Sequence, residues 1–376
     1  MPISFELLLT GQMKYMYENG FAVYMISSPG NNIKALEKRE NCQFIEVKMK
    51  RLISPFNDVV SLFKLIKTIN KIKPSIVHTH TPKAGLLGML AAFFCKVPVR
   101  LHTVAGLPLM ESKGIKKQVL IVAEKFTYAC AHFVYPNSFE LKEYIHQNKF
   151  TSSKKLKVIA NGTSNGIDTD YFKKTDDVLN RAEQIKNESG ISATDVVFLF
   201  IGRIVKDKGI NELAEAFNQL NAKYKFIKLL LVGPFEDDLD PIKETSKEII
   251  ASNKNIITTG FIDDVRPYFA ASSILTFPSY REGFPNVPLQ AGCMQLPMIV
   301  TDINGCNEIV QHNVNGLIVP PKNTELLYEA MEKMITDEPF RNKCASASRQ
   351  MIIDKFSRET VWKGLLNEYE RLLNKN

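Results

Sequence analysis

The chain has 376 residues, of which 45% are hydrophobic and 23% charged, a balance typical of a folded globular protein and not of a disordered one. This length exceeds one ordinary hydrophobic core and predicts about two domains. The longest uncharged apolar run, residues 84–95, is shorter than the roughly 20 residues of a membrane span, so we predict a buried helix there. The six cysteines form no Cys-x-x-Cys pair and are interpreted as reduced thiols of a cytoplasmic protein.

The net charge of +8 is distributed unevenly along the chain. Residues 1–165 contain 23 Lys or Arg against 10 Asp or Glu, whereas the remainder contains 25 against 30. This asymmetry predicts two domains with different partners, and the basic half suits an anionic membrane surface or a phosphate-bearing acceptor. A lysine-rich surface without a partner is the alternative interpretation. Because the sequence has no nucleic-acid-binding motif, nucleic acid is not predicted as a partner.

The first half alternates helical and strand patterns. Helices are predicted over residues 5–18, 58–72, 84–95 and 116–131, and strands over 21–27, 44–47, 75–78, 97–103 and 132–136. This alternation predicts a parallel sheet with right-handed crossovers. A doubly wound domain normally opens with a strand, whereas this chain passes from Met1 almost directly into a helix. Either the start lies upstream of Met1, or the first sheet has one strand fewer.

The second half repeats the rhythm. Strands are predicted over residues 196–201, 227–232, 255–258, 274–277 and 298–300, with helical segments between them. The join between the domains is placed at 161–166, because Asn, Gly and Ser suit turns and linkers. The predicted domains are therefore 1–165 and 166–356, followed by a helix in 357–376 that returns toward the first domain.

Two loops of the second domain carry candidate binding residues. In the first, Gly202 lets a ligand approach the backbone, while Arg203 and Lys208 offer cationic donors suited to phosphate oxygens. Gly209 precedes a helix whose first amides favour an anion. Such a loop by itself is a weak signal, since a Gly-Arg pair after a strand is often only a turn.

The second loop lies at the carboxyl end of a predicted strand, where doubly wound sheets bind ligands. It contains Glu282, whose carboxylate can accept hydrogen bonds from sugar hydroxyls. Asn286 is predicted as the N-cap of a helix starting near Val287. Two cations, a helix start and a carboxylate are together what a nucleotide-diphosphate sugar requires.

This pair of loops resembles the donor site of the retaining glycosyltransferases of family 4. The resemblance extends through Gly260-Phe261, residues 301–308 and 315–319, and more loosely through residues 78–85 and 165–168. It implies an α/β protein of GT-B architecture, with two Rossmann-like doubly wound domains facing across a cleft. The implied reaction moves a hexose or N-acetylhexosamine from a nucleotide sugar, with UDP favoured, to a glycan or polyprenyl-diphosphate-linked acceptor. The implied setting is bacterial surface polysaccharide biosynthesis at the inner face of the cell membrane.

The resemblance also implies the role of each residue. Arg203 and Lys208 would bind the diphosphate, and Glu282 would contact the transferred sugar. Further donor-binding positions are Gly202, Phe261, Phe284, Pro285, Asn286, Val287 and Gln290. Gln290 departs from the pattern, because the family usually has a Glu there that holds the ribose hydroxyls, and this puts the donor affinity in question.

In the first domain the resemblance is looser. His80 and Lys83 are candidates for the acceptor site. Many relatives place a His directly before a Gly in the loop after the fourth strand, where this chain has Ala105 before Gly106. His102 either substitutes for that His in catalysis or is packed at a strand end. No cluster has metal-ligand spacing, so we predict neither a required metal nor another cofactor.

Two other functions share this architecture. A nucleotide-sugar epimerase would consume a nucleotide sugar without an acceptor, and a phosphorylase would need a longer second domain with a cofactor lysine. A truncated, inactive relative is a further possibility, because the first strand is missing from the predicted order.

Overall fold

The computed structural model describes residues 4–50, 54–110, 112–238 and 240–374, and it divides the chain into two compact units. Unit 1 contains the chain up to Gly166 together with the segment from Arg358 onward, and unit 2 contains Ile167–Ser357. Residues 1–3, on which the question of the chain start depends, lie outside the described residues. No helix in the described ranges is long and apolar enough to cross a membrane.

The strands of unit 1 that the structure describes form two separate parallel sheets. The first pairs β1 (Tyr24–Ser27) with β2 (Gln43–Glu46). The second has the order β3 (Ile76–His80), β4 (Val99–Val104), β5 (Phe133–Pro136). Val99, Leu101 and Val104 of β4 are buried, because the neighbouring strands and the helices on both faces exclude water from them.

The helices of unit 1 pack around its two sheets. They are α1 (Gln12–Glu18), α2 (Ile33–Glu40), α3 (Pro55–Ile72), α4 (Pro82–Phe94), α5 (Gly114–Cys130) and α6 (Phe139–Gln147). Leu65 and Ile69 of α3, Leu87 and Met89 of α4 and Tyr128 of α5 contribute to one apolar core. A smaller core contains Met16, Leu101, Tyr135 and residues of the C-terminal helix.

Unit 2 is built on one parallel sheet. Among the described residues its strands are β6 (Val196–Ile201), β7 (Ile227–Val232), β8 (Ile256–Gly260), β9 (Ile274–Phe277), β10 (Met298–Thr301) and β11 (Gly316–Val319). Their spatial order, β11-β10-β9-β6-β7-β8, is that of a doubly wound sheet. The sequence pattern does not indicate strand β11, because its four residues include a glycine and only two β-branched residues, Ile318 and Val319.

The helices of unit 2 connect these strands. They are α7 (Asp176–Glu188), α8 (Ile210–Lys223), α9 (Glu244–Ser252), α10 (Arg266–Ala270), α11 (Asn286–Cys293), α12 (Cys306–Ile309), α13 (Thr324–Thr336) and α14 (Glu338–Phe356). The chain then returns to unit 1 through α15 (Arg358–Leu373). One continuous core joins the sheet to these helices, and β6 and β9 are buried along their whole length.

The two units differ at the position of the central strand. In unit 2, β6 lies between β7 and β9 and pairs with both. In the described part of unit 1, no strand joins β1 to β3, and four of the five residues of β3 are only partly buried. The described strands of unit 1 are therefore divided between two sheets, whereas those of unit 2 form one.

One local prediction needs correction. The predicted helix over residues 5–18 is interrupted, with a π-helical turn at Ser4–Leu8 and α1 beginning after Gly11, whose φ of 81° is left-handed. The segment 161–166, where the join between the domains is predicted, ends at the last residue before unit 2, and its Thr163 and Asn165 are buried. Asn165 accepts hydrogen bonds from Gln12 Nε2 and Trp362 Nε1, which explains its burial.

Candidate active site

Two loops of unit 2 meet at the carboxyl ends of β6 and β9. Gly209, between the 3₁₀ turn Lys206–Lys208 and α8, has a φ of 72°. A Cβ atom there would lie 2.1 Å from the carbonyl oxygen of Pro278, so only glycine allows the loops to approach this closely. The Tyr280 amide donates to the carbonyl oxygen of Asp207 over 2.8 Å and fixes the same contact.

This contact brings together Lys208 and Glu282, two of the residues predicted from the sequence. Lys208 Nζ lies 2.5 Å from Glu282 Oε1, and each side chain is 16% exposed. Ser279, which is fully buried, donates from Oγ to the same carboxylate oxygen over 3.0 Å. The pair is therefore held in position, with a small part of each side chain still exposed.

Arg203 lies at the edge of this group and is more exposed than Lys208, at 45%. Its Nη1 donates to Glu236 Oε2 over 2.9 Å, and this hydrogen bond raises the pKa of the guanidinium. A second ion pair, Arg281 with Asp207 at 3.0 Å, connects the two loops on the outside. Arg203 and Lys208 of the first loop are thus each paired with a carboxylate.

The second loop ends where α11 begins. The structure corrects the predicted cap, because α11 starts at Asn286 itself and Pro285 occupies the N-cap position without a side-chain hydrogen bond. Asn304 Nδ2 donates to the carbonyl oxygens of Glu282 and Gly283 and holds the turn from the side of β10. Gly305, with a φ of 77°, packs against the Gly283 carbonyl, where a Cβ atom would come within 2.8 Å.

The other predicted donor-binding residues differ in how deeply they are buried. Gln290 is partly buried on α11, one helical turn after Asn286. Phe284 packs its ring 5.4 Å from that of Phe356, and Val287 is packed against the same core. Phe261 follows β8 and is 74% exposed, an unusual position for a large aromatic ring.

The predicted residues of unit 1 have three different environments. Lys83, at the start of α4, forms an ion pair with Asp58 of α3 at 2.7 Å. His80, at the end of β3, stacks near His78 with ring centroids 4.4 Å apart, and burial lowers its pKa to about 4. Both His80 and the buried Asn137 line a small cavity, and Asn137 Oδ1 has no hydrogen-bond partner among the described residues.

His102 is packed inside unit 1. Its side chain is 2% exposed, its Nδ1 lies 2.8 Å from Thr79 Oγ1, and the ring lies against Gly85. Burial lowers the pKa of His102 to about 3, with a smaller contribution from His80. Of the two roles considered for His102, this environment favours the packed side chain over the catalytic one.

The described residues contain no group of three His, Cys, Asp or Glu side chains arranged to hold a metal ion. The charged groups at the candidate site form ion pairs, among them Lys208 with Glu282 and Arg203 with Glu236. The arrangement can bind an anion between the two cations and the first amides of α11, next to a carboxylate that accepts hydrogen bonds.

Comparisons with known proteins bear on what this arrangement is for. Residues 181–351 match the family model of glycosyl transferases group 1, and residues 4–138 match that of glycosyl transferase 4-like proteins. A capsular polysaccharide biosynthesis glycosyltransferase of Staphylococcus aureus, CapM, is 33% identical over 98% of this chain and 95% of its own length. The chain belongs to glycosyltransferase family 4.

Further similarities agree with this assignment. A UDP-Gal:alpha-D-GlcNAc-diphosphoundecaprenol alpha-1,3-galactosyltransferase of Escherichia coli is 29% identical over 82% of this chain and 78% of its own length. Anabaena Alr3699/HepE, solved in complex with UDP, superposes with a TM-score of 0.83 at 19% identity, covering 99% of this chain and 97% of that one. This superposition shows that the family 4 enzyme has the GT-B fold. The protein is therefore a glycosyltransferase, and the epimerase alternative has no support.

Sequence reasoning missed several residues that shape the site of this glycosyltransferase. They are Glu236, which pairs with Arg203, and Ser279 and Asn304, which position Glu282 and its turn. Ser279 stands three residues before Glu282 in the same loop, so its proximity gave a local signal. Glu236 and Asn304 follow the ends of β7 and β10, and only the order of the strands brings those ends beside the two loops.

Proposed function

We propose that this glycosyltransferase transfers a hexose or N-acetylhexosamine from a UDP-sugar to a lipid-linked glycan acceptor, with retention at the anomeric carbon. The observation that carries the proposal is the Lys208–Glu282 pair, fixed beside the start of α11 by the contact between Gly209 and Pro278. A cation next to a carboxylate suits a substrate that places a phosphate next to a sugar hydroxyl.

The substrate class is supported by what the relatives are named for. CapM of S. aureus is named for capsular polysaccharide biosynthesis, and the E. coli relative for a UDP-galactose donor and a diphosphoundecaprenol-linked acceptor. We extend these classes, and not the particular sugars, to this chain. The work of the enzyme would accordingly be one step in assembling a bacterial surface polysaccharide, in the cytoplasm at the inner face of the membrane.

For donor binding we assign the diphosphate to Arg203, Lys208 and the first amides of α11. On binding, the phosphate would replace Glu236 and Glu282 as the partner of these cations, which frees Glu282 for the hydroxyls of the sugar. Gln290 would hydrogen-bond the ribose, and the exposed Phe261 would lie against the nucleobase. These assignments rest on the resemblance to family 4 and on the observed positions of the side chains.

The proposed chemistry requires no nucleophile from the protein. The bond between the anomeric carbon and the diphosphate oxygen breaks, and UDP departs with the electron pair. The acceptor oxygen forms its bond on the same face of the sugar, and its proton passes to the departing phosphate oxygen. Arg203 and Lys208 contribute by stabilising the charge that develops on the diphosphate, and the loops contribute by positioning. The same two cations are our reason for proposing that no metal is required, and full activity in excess EDTA is the expected result.

A thermal-shift series against UDP, GDP, ADP and CMP, with their sugar conjugates and without added metal, tests the donor class. Only a ligand that binds the native state in preference to the unfolded state raises the melting temperature. We expect a shift with UDP and a UDP-sugar that is lost in Arg203→Ala. A folded protein that responds to none of the nucleotides would favour the inactive relative and contradict the proposal.

A further inference from the structure

Helix α5 of unit 1 exposes a continuous apolar stripe. Its members are four residues spaced by four, three and four positions, which places them on one side of the helix: Ile115, Val119, Val122 and Phe126. All four are exposed, and Ile115 reaches 84%. The opposite side of α5 is packed, since Glu124, Thr127 and Tyr128 are buried. The apolar stripe therefore lies on the side of α5 opposite to the side that packs in the core.

Helix α3 shows the same arrangement. Phe56, Val59, Val60 and Phe63 are exposed, with Phe56 at 80%, and their spacing again defines one side of a helix. Ser61, Leu65 and Ile69 on the other side are buried. Both α3 and α5 pack against α4, which lies on the sheet of unit 1. We refer to the exposed residues of these two helices as the α3/α5 surface.

The α3/α5 surface is also cationic. Lys113, Lys116 and Lys125 are exposed at or on α5, as are Lys64, Lys67 and Lys71 on α3. At about 100° per residue, Lys116 and Lys125 fall on opposite sides of the α5 stripe. The acidic residues of the two helices do not offset this charge, because Asp58 is paired with Lys83, and Glu124 is buried, which raises its pKa. Helix stripes of exposed aromatic and aliphatic side chains bordered by lysines are typical of interfacial membrane binding.

The rest of the molecule provides a comparison. The large exposed apolar residues of unit 2 stand singly on different elements: Tyr171, Leu179, Phe226, Phe235, Phe261 and Leu326. Isolated exposed residues of this kind need no partner, whereas a contiguous patch does. The contrast therefore singles out unit 1, which also carries the positive charge of the chain.

We propose that the α3/α5 surface docks on an anionic lipid bilayer, with Ile115, Phe126, Phe56 and Phe63 inserted among the headgroups. The lysines at the edges of the stripes contact acidic headgroups, while their aliphatic stems lie along the apolar side chains. A second copy of the chain is the less suitable occupant, because it would bring two positively charged faces together. The proposal depends on the proposed function only in that a lipid-linked acceptor gives the docking a purpose.

Flotation with vesicles tests the docking. We expect the protein to float with vesicles of phosphatidylcholine containing about one-third phosphatidylglycerol at low salt, and to float less with pure phosphatidylcholine or in about 0.5 M salt. Ile115→Ser/Phe126→Ser and Phe56→Ser/Phe63→Ser should each reduce the bound fraction at least tenfold. The charge variant Lys116→Glu/Lys125→Glu should do the same on the anionic vesicles.

Matched variants in unit 2 serve as controls. Phe226→Ser/Leu326→Ser removes two exposed apolar residues outside the surface, and Lys254→Glu/Lys343→Glu reverses two exposed lysines there. Both are expected to float like the parent protein. The proposal is overturned if the parent protein does not float with anionic vesicles, or if the stripe variants float as well as the controls. It is also overturned if the stripe variants convert a dimer to a monomer without changing flotation.

The same samples separate this proposal from the proposed function. Each variant is tested for the UDP-induced rise in melting temperature, which depends on residues of unit 2 and also shows that the variant is folded. A retained UDP response with lost flotation supports the docking surface. Flotation of the parent protein without any UDP response would count against the proposed donor and leave the membrane contact supported.

Discussion

At the scale of single residues, Lys208 has the position that the proposed chemistry needs. Its ammonium group lies against Glu282 and is largely shielded from water, so its charge acts in a medium of reduced dielectric constant. Lys206, two residues earlier in the same turn, is exposed. Within one short segment, the charge of Lys208 is therefore held in position by Glu282, whereas that of Lys206 lies at the exposed surface.

We expect Lys208→Ala to lower turnover by about 10²–10³, the usual cost of removing one preorganised donor. Lys206→Ala should leave turnover within about twofold. The measurement is UDP release with saturating UDP-sugar and acceptor. Equal rates for the two variants would remove Lys208 from the mechanism. At position 203, Arg203→Lys should also be slow, because the ammonium lacks the forked donors of the guanidinium.

His102 gives a prediction about stability and pH. Burial lowers its folded pKa to about 3, against 6.5 for an exposed histidine, so the unfolded chain binds the extra proton as the pH falls below about 6.5. The stabilising contribution is therefore complete above pH 6.5 and decreases as the pH falls toward 3. Between pH 7 and pH 5 the free energy of unfolding should drop by about 2 kcal/mol on account of this residue.

Urea unfolding at several pH values measures this effect. His102→Gln cannot titrate, so its free energy of unfolding should depend less steeply on pH over that range. His146→Gln, an exposed histidine on α6, is the control and should keep the steep dependence. If the slope of the His102 variant matched that of the parent protein, the histidine would not be buried in the neutral form.

At the scale of elements, the close approach of the two site loops depends on glycine. Both Gly209 and Gly190 have a left-handed φ, of 72° and 59°, but only Gly209 faces another backbone. At either position, alanine would destabilise the folded state by about 1 kcal/mol because of the unfavourable φ. Only at Gly209 does the added methyl group collide with the Pro278 carbonyl, so only there must the loops separate.

Gly209→Ala should therefore weaken UDP binding at least tenfold. Gly190→Ala should lower the free energy of unfolding by only the roughly 1 kcal/mol of the unfavourable φ and leave UDP binding unchanged. Isothermal titration of each variant with UDP makes the comparison. Unchanged affinity in Gly209→Ala would mean that the loops can move apart without disturbing the donor site.

The return of α15 to unit 1 depends on a buried carboxylate. Glu368 accepts hydrogen bonds from Tyr135 Oη at 3.0 Å, Lys157 Nζ at 2.5 Å and Arg371 Nη2 at 2.7 Å. Burial by itself would raise the pKa of Glu368, but hydrogen bonds from Arg371 and Lys157 outweigh it and lower the pKa to about 2. The helix is thereby attached to β5 by a charged group as well as by Leu365, Leu366 and Leu372.

Glu368→Ala should lower the free energy of unfolding of the protein at pH 7 by about 1–3 kcal/mol, since its two cations are partly exposed and can be hydrated again. Because the folded pKa lies below the usual 4.5, the parent protein should lose this contribution as the pH falls from about 4.5 to 2, and the variant should show less of that loss. Glu370→Ala, exposed on the same helix, should change neither quantity. Chemical denaturation at pH 7 and in acid distinguishes the two variants. Equal free energies of unfolding for the two variants would argue against a stabilising role of the hydrogen bonds to Glu368.

At the scale of the whole molecule, the two units have unequal sheets. The central strand β6 of unit 2 pairs on both sides and is fully buried, whereas β3 of unit 1 pairs only with β4 among the described residues. Amides of β3 that point away from β4 are therefore expected to exchange with solvent roughly 100-fold or more faster than those of β6. Hydrogen exchange resolved by NMR or mass spectrometry measures this difference. Uniform protection of both strands would show that another segment covers the free edge of β3.

Much of this protein could be predicted from its sequence, because local patterns determine it. The strands of unit 2 are nearly continuous apolar runs, and glycine, arginine and lysine at fixed spacing after a strand indicate the first loop. The α/β class and the glycosyltransferase family followed from the same residues. The charge asymmetry also pointed to unit 1, although it did not identify the helices involved.

Other features depend on contacts between residues distant in the sequence, and only the tertiary structure shows them. The partners of Arg203 and Glu282 come from the ends of β7 and β10, which lie beside the site because of the strand order. The burial of His102 depends on the packing of α4 through Gly85. The exposed stripes of α3 and α5 look like core positions in the sequence, since periodicity marks an apolar face but does not reveal whether protein or solvent lies against it.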